Sequence, residues 1–243
     1  MKKKAISLTD LLCNNCQARF RGICSSLSNE QLNEISQSVQ HAHYPKGKEV
    51  ISFNEEANKI YNIVSGSIRQ YKILSDGRRQ IVGFLFPGDF LGIPYEEKFS
   101  YYADTIEDTC LCVFSRQNFE SYLVKFPVFE KEVLKKTSLK LSDAFEQNML
   151  LGKKHAREKI ATFLILLMKI QTNSKNETNF FKIPMTREDI ADYLGLRTET
   201  TSRMFTEFCM KDLIKFTDKN KNYFQVKNLF QLEKISKVKA ETI

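Results

Sequence analysis

Apolar and polar residues alternate in four successive textures along the chain. Leu27, Leu32, Ile35 and Val39 recur at helical intervals behind Ser28, a natural N-cap, and predict a short helix. Between Tyr44 and Phe114 short runs of Ile, Val, Tyr and Phe are divided by Pro45-Lys46-Gly47, Ser65-Gly66, Ser75-Asp76-Gly77 and Pro87-Gly88-Asp89. Runs of this length between turn residues predict strands, and their spacing predicts an antiparallel barrel or jelly roll. From Pro127 to about Gln171 the pattern turns helical. There Leu134, Ser138, Leu141, Phe145 and Asn148 alternate by four and three, the spacing of a two-helix seam; a helix lying on its own β-domain would use the same positions. Gly152, ahead of Lys153-Lys154, is a candidate bend, and residues 172–179 read as a polar loop.

The fourth texture carries the chemistry. Thr186-Arg187-Glu188-Asp189 offers an N-cap hydroxyl with an acidic residue three positions on, so a helix starts there. Ile190, Ala191 and Leu194 make its inner face, Gly195 permits a tight turn, and Leu196 plugs it. A second helix then opens at Thr198 or Glu199 and buries Met204 and Phe205, which completes a helix-turn-helix. Thr201 stands where such a helix normally buries Val or Ile; it fits if its hydroxyl finds a backbone carbonyl. Arg203 can pair bidentately with guanine, Glu199 can accept from cytosine, and Ser202 serves several base edges. An outward salt-bridged face is the plainer reading of the same three residues. Thr186 and Thr198, at the two helix starts, are further candidate DNA contacts. Leu213 to Phe216 and Tyr223 to Val226 read as a hairpin, a wing whose tip lysines, Lys219 and Lys221, would meet phosphates.

The order is thus a cysteine-bearing arm (1–26), a β-domain (27–126), a long helix (127–151) and a winged helix-turn-helix domain (152–243), an α+β chain. The formal net charge of +8 permits an anionic partner such as double-stranded DNA. It does not decide the matter, because Thr186 to Ile243 holds 11 Lys+Arg against 9 Asp+Glu, a net of only +2. The basic opening of the chain is interrupted by Asp10, and the longest apolar run, Ala161 to Met168, is too short to span a bilayer. The expectation is a cytoplasmic protein with no membrane contact, in which six cysteines are thiols or metal ligands.

Cys13, Cys16 and Cys24 form C-x2-C-x7-C in the arm, and Cys110 and Cys112 lie on one face of a predicted strand. Three clustered thiolates and one remote one complete the set a 4Fe-4S cluster needs. Zinc is the rival, and would want Cys110 and Cys112 together. Cys209, in the second helix of the motif, reads as a small buried core residue. Ile23 either covers the cluster against oxygen or anchors the arm.

These elements, in this order, resemble the CRP/FNR family of bacterial regulators, and within it the oxygen-sensing FNR branch. The likeness is carried by Gly47, Gly66, Gly83-Phe84 and Gly88-Asp89, by Lys153-Lys154-His155-Ala156, and above all by Met185 to Leu196 followed by Glu199-Thr200-Thr201-Ser202-Arg203. The resemblance implies a β-roll sensor domain of the cyclic-nucleotide-binding kind, a dimerisation helix, and a homodimer on a two-fold site with half-sites like TTGAT, read by Glu199, Ser202 and Arg203. It also implies a 4Fe-4S cofactor whose fourth ligand is Cys112, with Cys110 as neighbour or substitute. A cyclic nucleotide is not expected, since Gly88 to Ala103 contains no arginine to clamp its phosphate. The alternatives are a DNA regulator with a thiol or zinc switch, and an iron-sulfur electron-transfer protein; no catalytic spacing of His41, His43 and His155 points to an enzyme. Activation would also require RNA polymerase, for which Ser75-Asp76-Gly77-Arg78 is a candidate surface, or else a plain hairpin turn.

Overall fold

The computed structural model of the protein describes residues 13, 16–92, 97–172 and 180–237. The polar loop expected at 172–179 falls almost wholly outside the described residues, as does the basic opening at 1–12. The chain divides into two compact units, Met1–Ile73 with Val82–Ser142, and Leu74–Ile81 with Asp143–Ile243.

In the first unit a 3-10 turn, Gln17–Phe20, precedes helix α1, Asn29–Ser36. Ser28 caps α1 as its sequence predicts: Gln31 N–H donates to the Ser28 hydroxyl, and the Ser28 N–H donates to the Gln31 side chain at 2.9 Å. Eight strands follow: β1 Gln40–Tyr44, β2 Glu49–Ile51, β3 Lys59–Ser65, β4 Ile68–Ile73, β5 Arg79–Leu85, β6 Phe90–Leu91, β7 Tyr102–Thr105 and β8 Thr109–Ser115. They form two four-stranded sheets, ordered β1-β8-β3-β6 and β2-β7-β4-β5, the expected antiparallel roll. The turn after β4 is closed by a salt bridge between Arg78 and Asp76 at 2.8 Å.

Strand alternation splits the apolar residues between two cores. Ile51, Ile63, Ile68, Leu85, Phe99, Tyr101 and Leu111 fill the interior of the roll. Ile60, Cys112 and Phe114 face outward, against Leu32 and Ile35 of α1 and against two further helices, α2 (Arg116–Lys125) and α3 (Pro127–Lys153). Helix α2 was not anticipated. Its apolar triplet, Phe119, Tyr122 and Leu123, is too short to stand out behind the β-rich run of β8, and the Ser115 cap fixes its start. Phe114, Phe119 and Phe129 stack edge to face here, each burial contributing roughly 1.5–3 kcal/mol.

Gly152 is not a bend. Helix α3 runs through it to Lys153, and the break falls at Lys154 and His155, ahead of α4, Ala156–Gln171. In the second unit α4 buries Ile160, Ala161, Phe163, Leu164 and Leu167, and packs on α7, Leu229–Ser236. Helices α5, Arg187–Leu194, and α6, Thr198–Met210, are followed by the hairpin of β10, Ile214–Phe216, and β11, Tyr223–Val226. A third strand, β9, Phe180–Lys182, pairs with β11, so the wing is a three-stranded sheet ordered β10-β11-β9. No helix among the described residues is long and apolar enough to cross a membrane.

Candidate nucleic-acid interface and thiol centre

The caps and turn of the helix-turn-helix are closed largely by contacts that its own sequence supplies. Asp189 N–H donates to Thr186 Oγ1 at 3.1 Å, and the Asp189 carboxylate accepts from the Thr186 N–H and hydroxyl at 3.2 and 2.8 Å, a full capping box for α5. Gly195 ends the helix in the left-handed region, φ 59°, and Leu196 N–H returns to the Ala191 carbonyl at 2.9 Å. A buried lysine on α4, Lys159, donates to the Leu194 carbonyl at 2.9 Å, placing a cation at the helix C-terminus. Burial lowers its pKa. Nothing in the apolar run around Lys159 announces this role.

Helix α6 turns Thr201, Phe205 and Phe208 inward. Met204, expected in the core, is only half-buried, and Phe208 takes that place. Thr201 is fully buried as a β-branched stand-in, but its hydroxyl finds no partner among the described residues, against the expected carbonyl bond. The Arg187 guanidinium lies 3.9 Å from the Phe205 ring centroid and 5.1 Å from that of Phe216, tying α5, α6 and the wing together. On the opposite face Glu199, Ser202 and Arg203 are exposed at spacings that bring them side by side, and no side-chain bond or ion pair among the described residues engages them. Thr198 is exposed at the start of α6, and Thr186 is exposed but spends its hydroxyl on the cap. Lys219 and Lys221 are exposed at the wing tip, where Asp218 closes the turn by accepting from the N–H groups of Asn222 and Tyr223 at 3.1 and 2.8 Å.

Along α3 all five seam positions, Leu134, Ser138, Leu141, Phe145 and Asn148, are exposed, as is Met149, four residues after Phe145 and on the same stripe. Leu134 is 69% exposed and Phe145 61%, unusual for residues of this size.

The arm thiols lie against β8. Burial, and then the Cys13 and Cys16 thiols, push Cys24 up to about 12. Burial likewise raises Cys112, helped by Cys24, Cys13, Cys16 and Cys110 in that order. Cys110 is more open; it is raised by burial and then by Cys16 alone. Cys209 is half-buried in α6 rather than in the core, and has Arg187 and Lys221 as its electrostatic neighbours. No three His, Cys, Asp or Glu side chains among the described residues converge tightly enough for a single ion. Cys13, Cys16, Cys24 and Cys112 offer only sulfur donors, the kind a 4Fe-4S cluster takes, one thiolate to each iron.

The arm is seated by backbone. It crosses the β5–β6 turn so closely that a Cβ on Gly88 would stand 2.8 Å from Arg21 Cβ, and one on Gly22 would stand 3.3 Å from the Gly88 carbonyl oxygen. Ile23 is wholly buried in the same apolar cluster as Phe129, Val133, Phe114 and Cys112. Lys136 donates to the Arg21 carbonyl, Ser26 donates to the Val128 carbonyl at 3.0 Å, and Lys140 pairs with Asp89 at 3.3 Å. All three contacts join the arm or the turn beneath it to α3.

Two histidines that the sequence left without a role sit beside these thiols. His41 Nδ1 is 3.6 Å from Cys112 Sγ, and His43 Nε2 is 3.9 Å from Cys110 Sγ. Burial, and then His43, lower the His41 pKa. The readable signal was an H-x-H strand paired in register with a C-x-C strand.

A β-roll, a long helix with an open apolar stripe, and a winged helix-turn-helix with an unpaired Glu-Ser-Arg face define a DNA-binding transcription regulator. Residues 41–126 match the cyclic nucleotide-binding domain family, and residues 158–235 match the Crp-like helix-turn-helix domain family. The chain is 37% identical over 195 residues to the nitrogen fixation regulation protein FixK of Bradyrhizobium diazoefficiens, covering 80% of this chain and 82% of that protein. It is 35% identical to the transcriptional activator protein FnrL of Cereibacter sphaeroides, with 79% of each covered, and 27% identical to the fumarate and nitrate reduction regulatory protein of Vibrio cholerae, with 95% and 92% covered. Among solved structures, FixK2 from Bradyrhizobium japonicum superposes with a TM-score of 0.75 at 30% identity, over 81% of this chain and 96% of that one. The chain belongs to the CRP/FNR family. It is a DNA-binding transcriptional activator of that type.

Proposed function

We propose that this activator senses oxygen or redox state through a 4Fe-4S cluster on Cys13, Cys16, Cys24 and Cys112, and that it binds an FNR-type two-fold site as a homodimer. The observation that carries the reading is that Cys24 packs against the buried cluster containing Cys112, on an arm bonded directly to α3. When bound, the cluster supplies an oxygen-labile four-thiolate joint between arm and roll. The chain's own residues do the rest. Cys13, Cys16 and Cys24 hold the arm to Cys112 on β8. Ile23, Lys136 and Ser26 fix α3 to the arm, and α3 offers Leu134, Ser138, Leu141, Phe145 and Asn148 to a second copy. Two copies then present Glu199, Ser202 and Arg203 to half-sites about one helical turn apart, with Lys219 and Lys221 on phosphates. The arm, roll and seam helix divide at residues 26 and 126, and the seam helix ends with α3 at Lys153 ahead of the winged domain. Cys112 is preferred to Cys110 because all three arm thiols act on it. RNA polymerase is the partner of activation, and the cell interior is the place of action.

A cyclic nucleotide is not the effector. Phe99 and Tyr101 fill the roll, the Tyr101 hydroxyl accepts from the Gly92 N–H at 3.1 Å, and no arginine lies between Gly88 and Ala103. A second reading, a zinc or thiol switch, is favoured by the two His-Cys pairs across β1 and β8. Anaerobic purification with iron, sulfide and zinc quantitation before and after air decides between them. The expected result is about four irons and four sulfides per chain that are lost in air together with dimer and site-selective DNA binding. Zinc without iron, or a dimer that binds its site equally well after iron loss, overturns the cluster reading.

A further inference from the structure

Strands β1 and β8 set His41 opposite Cys112 and His43 opposite Cys110. The two pairs differ in surroundings. Cys112 is buried in the outer core with Ile23 and Phe114, whereas the Cys110–His43 contact lies at the exposed surface. At 3.6 Å His41 Nδ1 is within hydrogen-bond range of a sulfur, and the other ring nitrogen, Nε2, is buried with no partner among the described residues. A neutral imidazole carries one proton, and a buried N–H without an acceptor costs more than a bare ring nitrogen. The proton therefore belongs on Nδ1, aimed at Cys112 Sγ.

We propose that His41 is a positioning residue for the Cys112 thiolate, donating its Nδ1–H to Sγ and so setting how readily the site is oxidised. This rests on Cys112 being a cluster ligand. A hydrogen bond to a ligating sulfur draws off negative charge and raises the reduction potential. Were a cluster held by Cys112, its oxidation would pass one electron to dioxygen, and a donor on Sγ would oppose that loss. His41 thus slows the response to oxygen without ligating a metal.

The test compares anaerobically purified full-length wild type, His41→Ala, His41→Gln and His43→Ala by iron and sulfide content, by midpoint potential in a redox titration, and by the decay of visible absorbance in air. His41→Ala is expected to hold iron, to show a more negative potential, and to lose its absorbance severalfold faster. His41→Gln, which keeps a side-chain N–H donor, recovers most of the potential and the lifetime, and His43→Ala matches wild type. A His41→Ala protein with wild-type potential and decay overturns the role of His41 while leaving the cluster reading intact, as does a His43→Ala shift of equal size. Should His41→Ala fail to fold, a His41→Gln potential more negative than that of His43→Ala by the full expected shift counts against the proposal. Wild type without iron overturns the cluster reading, and this role with it.

Discussion

The helix-turn-helix and the thiol centre are built on opposite plans. Between Thr186 and Phe216 the capping box, the left-handed Gly195 and the Arg187 stack on Phe205 and Phe216 all arise within about thirty residues of chain. The thiol centre is gathered from Cys13 to Cys112, and its seat extends to Lys136. A motif closed mainly by local contacts needs few outside supports, here the Lys159 bond and the Arg79 ion pairs to Asp189 and Asp192. One assembled from distant pieces depends on whatever joins them, and that dependence suits a sensor.

The sharpest way to expose the contrast is Cys24→Ala, which is expected to abolish iron retention in anaerobic preparations while the far-UV spectrum stays that of a folded chain. Retention of a full complement of iron would show that the arm thiols are not the joint. Next in size, Leu141→Glu places a charge in the exposed stripe of α3, and sedimentation should find the anaerobic protein monomeric; a persisting dimer would move the seam elsewhere. On the reading side Arg203→Ala is expected to weaken selective DNA binding by about 1–3 kcal/mol, roughly 5- to 150-fold, with iron content unchanged. Equal loss on scrambled DNA would demote Arg203 to a phosphate contact. Gly195→Ala forces a Cβ into a left-handed turn 3.2 Å from a Leu151 methyl, and should lower stability by about 1–2 kcal/mol in a denaturant titration. The smallest change has the opposite sign. Thr201→Val replaces a buried, unpartnered hydroxyl with a methyl of the same shape, so it should stabilise the chain by about 1 kcal/mol; destabilisation would mean that the hydroxyl is bonded.

The same contrast explains what could be read in advance. Ser28, Thr186 and Gly195 announce their roles through i, i+3 and turn chemistry, and the roll declares itself through Gly and Asp turns between β-branched runs, because these are near-neighbour effects. Helix α2 was hidden by its brevity, β9 by its three-residue length, and the bend assigned to Gly152 by the fact that a helix tolerates a glycine when its backbone bonds continue on both sides. Lys159 and His41 were unreadable for a different reason. Their partners, the Leu194 carbonyl and Cys112 Sγ, lie 35 and 71 residues away, and only strand register or helix packing brings them together. Cys13, Cys16 and Cys24 stand close together in the sequence, whereas the greater burial of Cys112 than of Cys110 is not visible in their shared strand pattern.

Where the arm passes over the β5–β6 turn, Gly22 and Gly88 come together with Arg21 Cβ and the Asn62 side chain pressed close around them. A crossing this tight jams on a single added carbon, so the path of the arm is held to a tolerance of one methyl group.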